Sequence, residues 1–422
     1  MFTLIRSQDA AALARLEKRR QTQEAETGKT VRRIVEDVRR HGDAALIRLT
    51  RKFDRIDLRR DGFIVTPKEV RLAYECVGRD FISAVRQAAR NVRATARRQL
   101  PREWMAVTSP GVQVGQIVRP LDRAACYVPG GRFPLPSTVL MSVIPAQEAG
   151  VRDIIVTSPK PAAAVIVAAD SLGITKIFRL GGAQAIAAFA YGTESVPQAN
   201  KIVGPGNRFV AAAKKLVAGG CGIDFVAGPT ELIVVGAKGR SAWIAADLVA
   251  QAEHDPDASA ILVTPSLKMA LSVQRAAQRI LKRLHLPAAS LARHGIILLT
   301  RDLEEAVDWA NRLAPEHLTL LEDAAPYLER IQSAGAIFLG SYSAVAAGDY
   351  ASGGNHILPT AGAARLRGGL SAADFVKTIS VQRLSRNGLS GLRRTIVTLA
   401  EAEGLTAHAY SANARFENDS GS

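Results

Sequence analysis

The 422 residues include only three cysteines, which are widely separated and form no CxxC pair. A disulfide framework and a cysteine-based metal site are therefore excluded. No apolar run is long enough to cross a membrane, and the first residues lack the apolar segment and small-residue cleavage site of a signal peptide. These absences predict a cytoplasmic protein with no membrane partner.

Aromatic residues are also scarce, at 5% of the chain, although 47% of the residues are hydrophobic. A chain rich in Ala, Val, Ile and Leu with few aromatics favours an α/β enzyme over an all-β sandwich. The sequence contains no HExxH zinc motif, no Walker A loop and no GxGxxG fingerprint. A zinc or dinucleotide site, if present, must be built differently from those common types.

The net charge of +16 raises the question of a nucleic-acid partner. Residues 1–120 hold 26 Lys and Arg against 14 Asp and Glu, so most of the excess lies near the N-terminus. The basic residues occur as pairs on helical stretches with acids between them, and no RNP motif or zinc finger accompanies them. This pattern is typical of solvated helix faces, and we expect no nucleic-acid partner.

Hydrophobic periodicity divides the chain into four regions. Residues 1–110 have helical spacing and predict a mainly helical N-terminal region that partly packs on the second α/β domain. Short β-branched runs then alternate with Ala-rich helical runs, which indicates βαβ units with parallel sheets. We place a first α/β domain at 120–236, a second at 237–375, and a helical C-terminal segment with a disordered tail at 376–422. The sequence does not decide whether the two α/β domains are structural copies.

Several polar clusters could carry chemistry. In QAEHDPDA, Gln251 and His254 are three residues apart on a predicted helix and share a face, and His254 could bind zinc. In APEH, Pro315 ends a helix and is expected to place Glu316 and His317 on a loop, where they could act as acid and base.

Two further clusters lie toward the C-terminus. Asp349 and His356 fall in GDYASGGNHILPT, which is predicted to be a flexible Gly-rich loop, and such loops often carry functional groups. Glu403 and His408 lie in EGLTAH, near the end of the last long helix. Each cluster by itself is weak evidence for a functional site. Together, imidazole and carboxylate ligands without thiolates fit zinc or a similar divalent ion.

The predicted strands end in glycine: Gly130-Gly131, Gly181-Gly182 and Gly204-Pro205-Gly206-Asn207. In open parallel sheets, ligands bind beyond the carboxyl ends of the strands, where glycine lets backbone amides approach. The pattern allows a dinucleotide site without the usual fingerprint.

Together these stretches resemble the histidinol dehydrogenase family. The resemblance rests on YVPGG, STVLM, GGAQAIAA, GTESVP, KIVGPGN, GIDFVAGPTE, DLVAQAEHDPDA, APEHL, AGAIFLG, GDYASGGNHILPT and EGLTAH, in the family's order and with similar spacing over roughly residues 20–410. It implies an α/β fold with two Rossmann-like parallel-sheet domains, a helical N-terminal region and a helical C-terminal segment that crosses to a partner in a homodimer.

The resemblance also implies the reaction and its residues. L-histidinol would be oxidised through L-histidinal to L-histidine with NAD and one zinc ion per subunit. The family pattern assigns zinc to Gln251, His254, Asp349 and His408, catalysis to Glu316 and His317, and NAD contacts to Tyr127, Gln184 and Asn207. It assigns substrate contacts to Thr230 and Glu403 together with the zinc ligands and His317, with His356 close by.

One residue departs from the family pattern. Thr230 stands where the family has serine in GPSE, so the hydroxyl remains but a methyl group is added close to the substrate. A related zinc- and NAD-dependent dehydrogenase acting on another small polar alcohol, such as dihydroxypropanesulfonate, is the alternative within the enzyme class. A basic protein that keeps the fold but only binds anions or nucleic acid is the alternative outside it.

Overall fold

The computed structural model describes residues 2–9, 11, 13–14, 25–130, 134–226, 228–287 and 289–417. The chain forms two compact units: unit 1 consists of residues 1–99 and 121–375, and unit 2 of residues 100–120 and 376–422. The polar tail predicted to be disordered lies outside the described residues from 418 onward, as does Gly131 of the predicted glycine turn. Within the described ranges, no helix combines the length and the apolarity that a membrane span requires.

The regular elements alternate along much of the chain. The helices are α1 (Ala25–Asp54), α2 (Leu58–Asp61), α3 (Pro67–Glu75), α4 (Arg79–Arg98), α5 (Pro136–Glu148), α6 (Ala163–Ser171), α7 (Gly182–Tyr191), α8 (Arg208–Val217), α9 (Ser241–His254), α10 (Leu267–Leu284), α11 (Ala289–His294), α12 (Leu303–Leu313), α13 (Val345–Tyr350), α14 (Arg386–Ala402) and α15 (Thr406–Asn413). The strands are β1 (Thr3–Arg6), β2 (Trp104–Ser109), β3 (Val112–Pro120), β4 (Arg123–Tyr127), β5 (Asp153–Thr157), β6 (Ile177–Phe178), β7 (Lys201–Val203), β8 (Gly222–Ile223), β9 (Glu231–Val235), β10 (Ser259–Thr264), β11 (Gly295–Leu299), β12 (His317–Leu320), β13 (Ala336–Leu339) and β14 (Val376–Leu384).

Unit 1 contains two parallel sheets with helices between their strands. The first has the order β6-β5-β4-β7-β8, and the second has the order β1-β11-β10-β9-β12-β13. Apart from β1, which joins the edge, both sheets start at a central strand, grow in one direction and then reverse. This is the doubly wound arrangement, which forms a crevice at the point of reversal. The expected α/β class with parallel sheets is confirmed.

The interior strands are largely apolar because helices cover both faces of each sheet. Every residue of β9 is buried, and Ile233 and Val235 belong to one side of the core while Leu232 and Val234 belong to the other. In the first sheet, α1 packs on α7 and α8 and contributes Val31, Val38 and Leu46 to the core.

The N-terminal region is mainly helical, but α1 is not continuous. It is kinked at Gly42, which has φ 48° and ψ −129°. A side chain at Gly42 would collide with the Glu194 carboxylate, which accepts a hydrogen bond of 2.9 Å from the Asp43 amide. The kink therefore lets a loop of the first α/β half dock against α1.

Unit 2 contains a three-stranded antiparallel sheet of order β14-β3-β2 and the helices α14 and α15. Residues 104–109 and 376–384 are thus strands, whereas the sequence predicted helical regions there. Both runs carry exposed side chains and lack the clean alternation of a half-buried strand. The first run pairs with the neighbouring β3, and the second pairs with the same strand from far away in sequence. Because neither run has a buried face, local periodicity did not reveal them.

The boundary predicted at residue 236 was also wrong in one respect. It placed β9 in the first α/β domain, whereas β9 lies at the centre of the second sheet, between β10 and β12. The short, mostly apolar run of β9 carries no information about which of the two sheets it joins. Among the described N-terminal residues, β1 pairs with the second sheet and Leu13 joins its core, whereas α1 packs on the first α/β half.

A buried ion pair supports the loop that follows β7. The Lys214 ammonium donates hydrogen bonds of 2.6 Å to both the Asp224 carboxylate and the Gly204 carbonyl oxygen. The same carboxylate accepts a bond of 2.7 Å from the Gly204 amide. The side chains of Lys214 and Asp224 are only 2% and 1% exposed. Because the charges satisfy one another and both backbone groups of Gly204, the loop is held at a fixed position.

We expect Lys214→Met to lower the free energy of unfolding by about 3–5 kcal/mol, because it leaves the buried Asp224 carboxylate without its counter-charge. Chemical denaturation monitored by circular dichroism measures the loss. Lys215→Met, on the exposed side of the same helix, is the matched control and should cost no more than about 1 kcal/mol. Equal losses for the two variants would refute this role of Lys214. The double variant Lys214→Met/Asp224→Leu should regain part of the loss.

Candidate functional site

Two titratable side chains are buried where the second sheet reverses its direction. Helix α12 ends at Leu313, and its cap residue Ala314 has φ 45°. Pro315 and Glu316 then lead directly into β12. His317 is the first residue of that strand, and both Glu316 and His317 are buried. The prediction that they lie on a loop is therefore wrong for His317. The strand pairs with β9 and β13 on its two sides, and this long-range pairing draws the residues into the interior.

Glu316 is held by hydrogen bonds from the segment that begins β9. Its Oε2 atom accepts one from the Thr230 hydroxyl and one of 3.0 Å from the Glu231 amide. The Gln251 side-chain amide donates a bond of 2.6 Å to the same Thr230 hydroxyl oxygen. Burial raises the pKa of Glu316 above its ordinary value. A carboxyl with a raised pKa is a better proton acceptor than an exposed one.

The imidazole of His317 has a defined orientation. Its Nδ1 lies 3.2 Å from the Glu231 carbonyl oxygen, an acceptor only, so Nδ1 carries the proton. Nε2 lies 3.5 Å from Asp349 Oδ1 and, although buried, makes no hydrogen bond to any described residue. Burial opposes protonation, but the charges of Glu316 and Asp349 outweigh it and raise the pKa of His317. Nε2 is therefore the basic nitrogen, and a neighbouring carboxylate stabilises the imidazolium.

Asp349 lies in helix α13, not in the flexible loop that the sequence predicted. Its backbone oxygen accepts a bond of 2.9 Å from His356 Nδ1, and His356 Nε2 lies 3.2 Å from the Thr138 hydroxyl at the start of α5. Asn355 donates a bond of 2.7 Å to the Met141 carbonyl oxygen. These contacts anchor the Gly-rich segment on the first α/β half.

A cavity of about 670 Å³ opens beside this cluster. Its wall includes His317, Asp349, Phe338, Ser352 and Asn355. The volume is of the size that small-molecule sites occupy, and the wall combines apolar surface with a few polar groups. A small polar substrate in this cavity would lie beside the side chain of His317.

The four residues expected to hold zinc fall in both units. In unit 1, Gln251 and His254 lie in the last turn of α9, which packs on α13, the helix of Asp349. Burial favours the neutral acid of Asp349, but His317 outweighs it and lowers the pKa of Asp349, with a smaller effect from the nearby His254. His408 lies in α15 of unit 2, and Glu403 follows α14 there, with both side chains exposed.

Within the described ranges, no group of three or more His, Cys, Asp or Glu side chains is arranged to hold a metal. The expected ligand set explains why: one member is an amide, and another, His408, belongs to unit 2. The donors in unit 1 nevertheless suit zinc, because imidazole, carboxylate and amide oxygen are N and O ligands. The bond from Gln251 to Thr230 uses the amide nitrogen and does not engage the oxygen that would face a metal.

The residues expected to contact NAD lie around the reversal point of the first sheet. Tyr127 ends β4, and its hydroxyl accepts a bond of 3.2 Å from the Gly182 amide. Gln184 lies in the first turn of α7, and Asn207 caps α8 through bonds to the amides of Phe209 and Val210. All three lie near the carboxyl edge of the sheet, where doubly wound folds bind dinucleotides.

Glycine lets the segments at this edge pack closely against one another. A side chain at Gly204 would come within 2.0 Å of the Tyr127 carbonyl oxygen, and one at Gly181 would come within 2.4 Å of Pro159. Gly181 also precedes α7 without a side-chain cap, and the Gly182 amide bonds to the Tyr127 hydroxyl instead. A glycine turn before a helix start is the kind of place where doubly wound folds bind dinucleotide phosphates.

Sequence reasoning missed three residues that the structure ties to these sites. Thr138 orients His356, and Lys214 with Asp224 fixes the loop that carries Asn207. Lys214 gave a usable signal, because it falls on the same helix face as the apolar Val210 and Val217. Thr138 gave none, since its partner His356 is 218 positions away.

Comparisons with known proteins point to one family. A family model described as histidinol dehydrogenase matches residues 17–416. A histidinol dehydrogenase of Methanothermobacter thermautotrophicus is 48% identical over 396 residues, covering 91% of this chain and 92% of the relative. A histidinol dehydrogenase of Methanosarcina mazei is 45% identical over 405 residues, covering 93% of this chain and 92% of the relative.

A solved structure has the same fold. The crystal structure of histidinol dehydrogenase from Elizabethkingia anophelis matches with a TM-score of 0.93 and 35% identity, covering 98% of each chain. Sequence, family model and structure agree over nearly the whole length of the chain. The chain therefore belongs to the histidinol dehydrogenase family of oxidoreductases, the enzymes of histidine biosynthesis.

Proposed function

We propose that the protein oxidises L-histidinol to L-histidine through L-histidinal, in two two-electron steps with NAD as the acceptor. The observation that supports this most strongly is the state of His317. Its Nδ1 is committed to the Glu231 carbonyl oxygen, its basic Nε2 has no hydrogen-bond partner among the described residues, and the residue lines a substrate-sized cavity. Oxidation of an alcohol requires a base of this kind at the hydroxyl.

In the first step, Nε2 of His317 accepts the hydroxyl proton as the carbinol carbon is oxidised. The carboxylates of Glu316 and Asp349, at 3.6 and 3.5 Å from the ring, stabilise the resulting imidazolium. In the second step, Glu316 accepts a proton from the water that adds to the aldehyde, and His317 again accepts the hydroxyl proton of the hydrate. Both described bonds to Glu316 use Oε2, so Oε1 is the oxygen that faces water in this proposal.

Gln251, His254, Asp349 and His408 would hold one zinc ion. A zinc ion held there would supply a Lewis acid, for which the imidazole and amino nitrogens of histidinol are suitable donors. The protein's part is to fix the ligands: α9 presents Gln251 and His254 on one face, and α13 presents Asp349 beside them. Thr230, His317 and Glu403 would complete the contacts with the substrate.

Tyr127, Gln184 and Asn207 would bind NAD at the crevice of the first sheet. NAD, when bound, supplies the hydride acceptor for both oxidations. The chain orients it by the rigid ends of β4, α7 and α8, and the buried Lys214–Asp224 pair keeps the 204–207 loop in place. The contact between Thr138 and His356 connects this half with the catalytic cluster.

We further propose a homodimer in which Glu403 and His408 of the partner subunit complete each site. The exposed position of both residues on unit 2 is compatible with this. We propose the cytoplasm as the location, because Cys76, Cys126 and Cys221 are free thiols, as expected in a reducing compartment.

Purified protein supplied with zinc and NAD should oxidise L-histidinol, with two NADH formed for each histidine. The ratio is measured by absorbance of NADH together with chromatography of histidine. Chelation of the metal should abolish turnover, and added zinc should restore it. Faster turnover of dihydroxypropanesulfonate than of L-histidinol would contradict the proposed substrate. Salt-sensitive binding of nucleic acid without any turnover would contradict the proposed enzyme class.

His317→Ala should lower kcat by about 10²–10⁴-fold while keeping zinc, because it removes the proton acceptor but no ligand. His254→Ala should lose zinc, and turnover with it. Metal analysis of the dialysed proteins and steady-state kinetics separate the two effects. His285→Asn is the matched control, since His285 is an exposed left-handed helix cap that asparagine tolerates. Loss of zinc in His317→Ala with full zinc in His254→Ala would reverse the assigned roles.

Mixing His317→Ala with His408→Ala tests whether the site is shared. If His408 acts in the partner's site, each heterodimer has one intact site and one doubly defective site. Random exchange should then give about a quarter of the wild-type specific activity. Subunit exchange is verified separately with differently tagged chains. Exchange without any recovered activity would place His408 and His317 of one site in the same chain.

A further inference from the structure

One acidic residue of the N-terminal region reaches the crevice of the first sheet, although no role proposed above uses it. Asp54 is the last residue of α1, and its carboxylate accepts a hydrogen bond of 3.0 Å from the Gln184 side-chain amide. The side chain is half-buried. Burial is the main reason that the pKa of Tyr127 rises to about 12, and the nearby charge of Asp54 adds to the rise. Asp54 therefore faces the same crevice as Tyr127 and Gln184.

The position of Asp54 matches that of a carboxylate that doubly wound folds use to bind the adenosine half of a dinucleotide. In doubly wound dinucleotide folds, a carboxylate that follows the second strand of the unit binds the hydroxyls of the adenosine ribose. The second strand here is β5, and the segment that follows it, Ser158-Pro159-Lys160-Pro161-Ala162, contains no acid. Asp54 lies close enough to Lys160 for the two charges to interact. The end of α1 thus brings a carboxylate to the place where the strand end supplies none.

The position of the catalytic cluster gives the direction of the cofactor. That cluster contacts Thr138 at the start of α5, the helix that follows the central strand β4. Lys160 and Gln184 instead follow β5 and β6, which are one and two strands away from β4 in the sheet order. The nicotinamide ring must approach the substrate, so the adenosine half is the part that extends toward β5 and β6.

We propose that Asp54 accepts hydrogen bonds from the adenosine ribose hydroxyls and selects NAD over NADP, with Gln184 orienting its carboxylate. This inference rests on the NAD binding proposed above. A 2′-phosphate would bring a charge of about −1.5 to −2 against the half-buried carboxylate. Lys160 alone would attract such a phosphate, but its charge is offset by Asp54.

We expect Asp54→Asn to lower the ratio of kcat/KM with NAD to kcat/KM with NADP by about ten- to a hundred-fold, the range of a charge-assisted hydrogen bond. The KM for NAD should rise, whereas kcat at saturating NAD and the KM for L-histidinol should change less than about threefold, because Asp54 does not touch the reacting atoms. Adding Lys160→Gln to Asp54→Asn should lower NADP use again. Glu36→Gln, an exposed acid on the same helix, is the matched control and should leave the ratio unchanged.

The outcomes separate this inference from the proposed function. If the wild-type protein oxidises L-histidinol with NAD but Asp54→Asn keeps the wild-type cofactor ratio, the role of Asp54 is refuted and the function stands. If calorimetric titration of the wild-type protein detects no NAD binding, both are refuted. Asp54→Ser gives a second neutral variant if Asp54→Asn is poorly folded, and each ratio compares two cofactors on the same protein.

Discussion

The parallel pairing of β9 with β12 determines how Glu316 and the Nδ1 side of His317 are held. In this register His317 lies opposite Leu232, so the residues just before β9 come beside those just before β12. The Glu231 amide can then bond to Glu316, and its carbonyl oxygen can orient His317. Because backbone groups supply these two contacts, the geometry depends on strand register more than on side-chain identity. A slip of one residue would turn His317 to the opposite face of the sheet.

The two sheets share a strand order, but the candidate site residues lie at opposite edges of them. In the first, Tyr127 and the loop before Asn207 follow the carboxyl ends of β4 and β7, where doubly wound folds bind ligands. In the second, Thr230, Glu316 and His317 lie at the amino ends of β9 and β12. The second sheet therefore departs from the usual rule. The Gly-rich segment around His356 bonds to α5 and so brings the amino edge of one sheet next to the first α/β half.

Most of the α/β pattern could be predicted from periodicity because interior strands are largely apolar and the intervening helices carry one apolar face. The failures share a physical cause. The kink at Gly42 depends on Glu194, the strand at 376–384 depends on β3, and the burial of His317 depends on β9 and β13. Each of these partners is distant in sequence, and local propensity is overridden by such contacts.

The sequence by itself determined the fold class, the family and the chemical types of the candidate site, because residue identity and order are local properties that motifs retain. Only the tertiary structure decided which nitrogen of His317 is basic and that Asp349 lies in a helix beside it. It also decided that Lys214 bonds to Gly204 and that Asp54 bonds to Gln184. Hydrogen-bond geometry and burial arise only when distant segments meet. These two properties set the pKa values of the side chains and the directions in which their polar atoms point, and the chemistry depends on both.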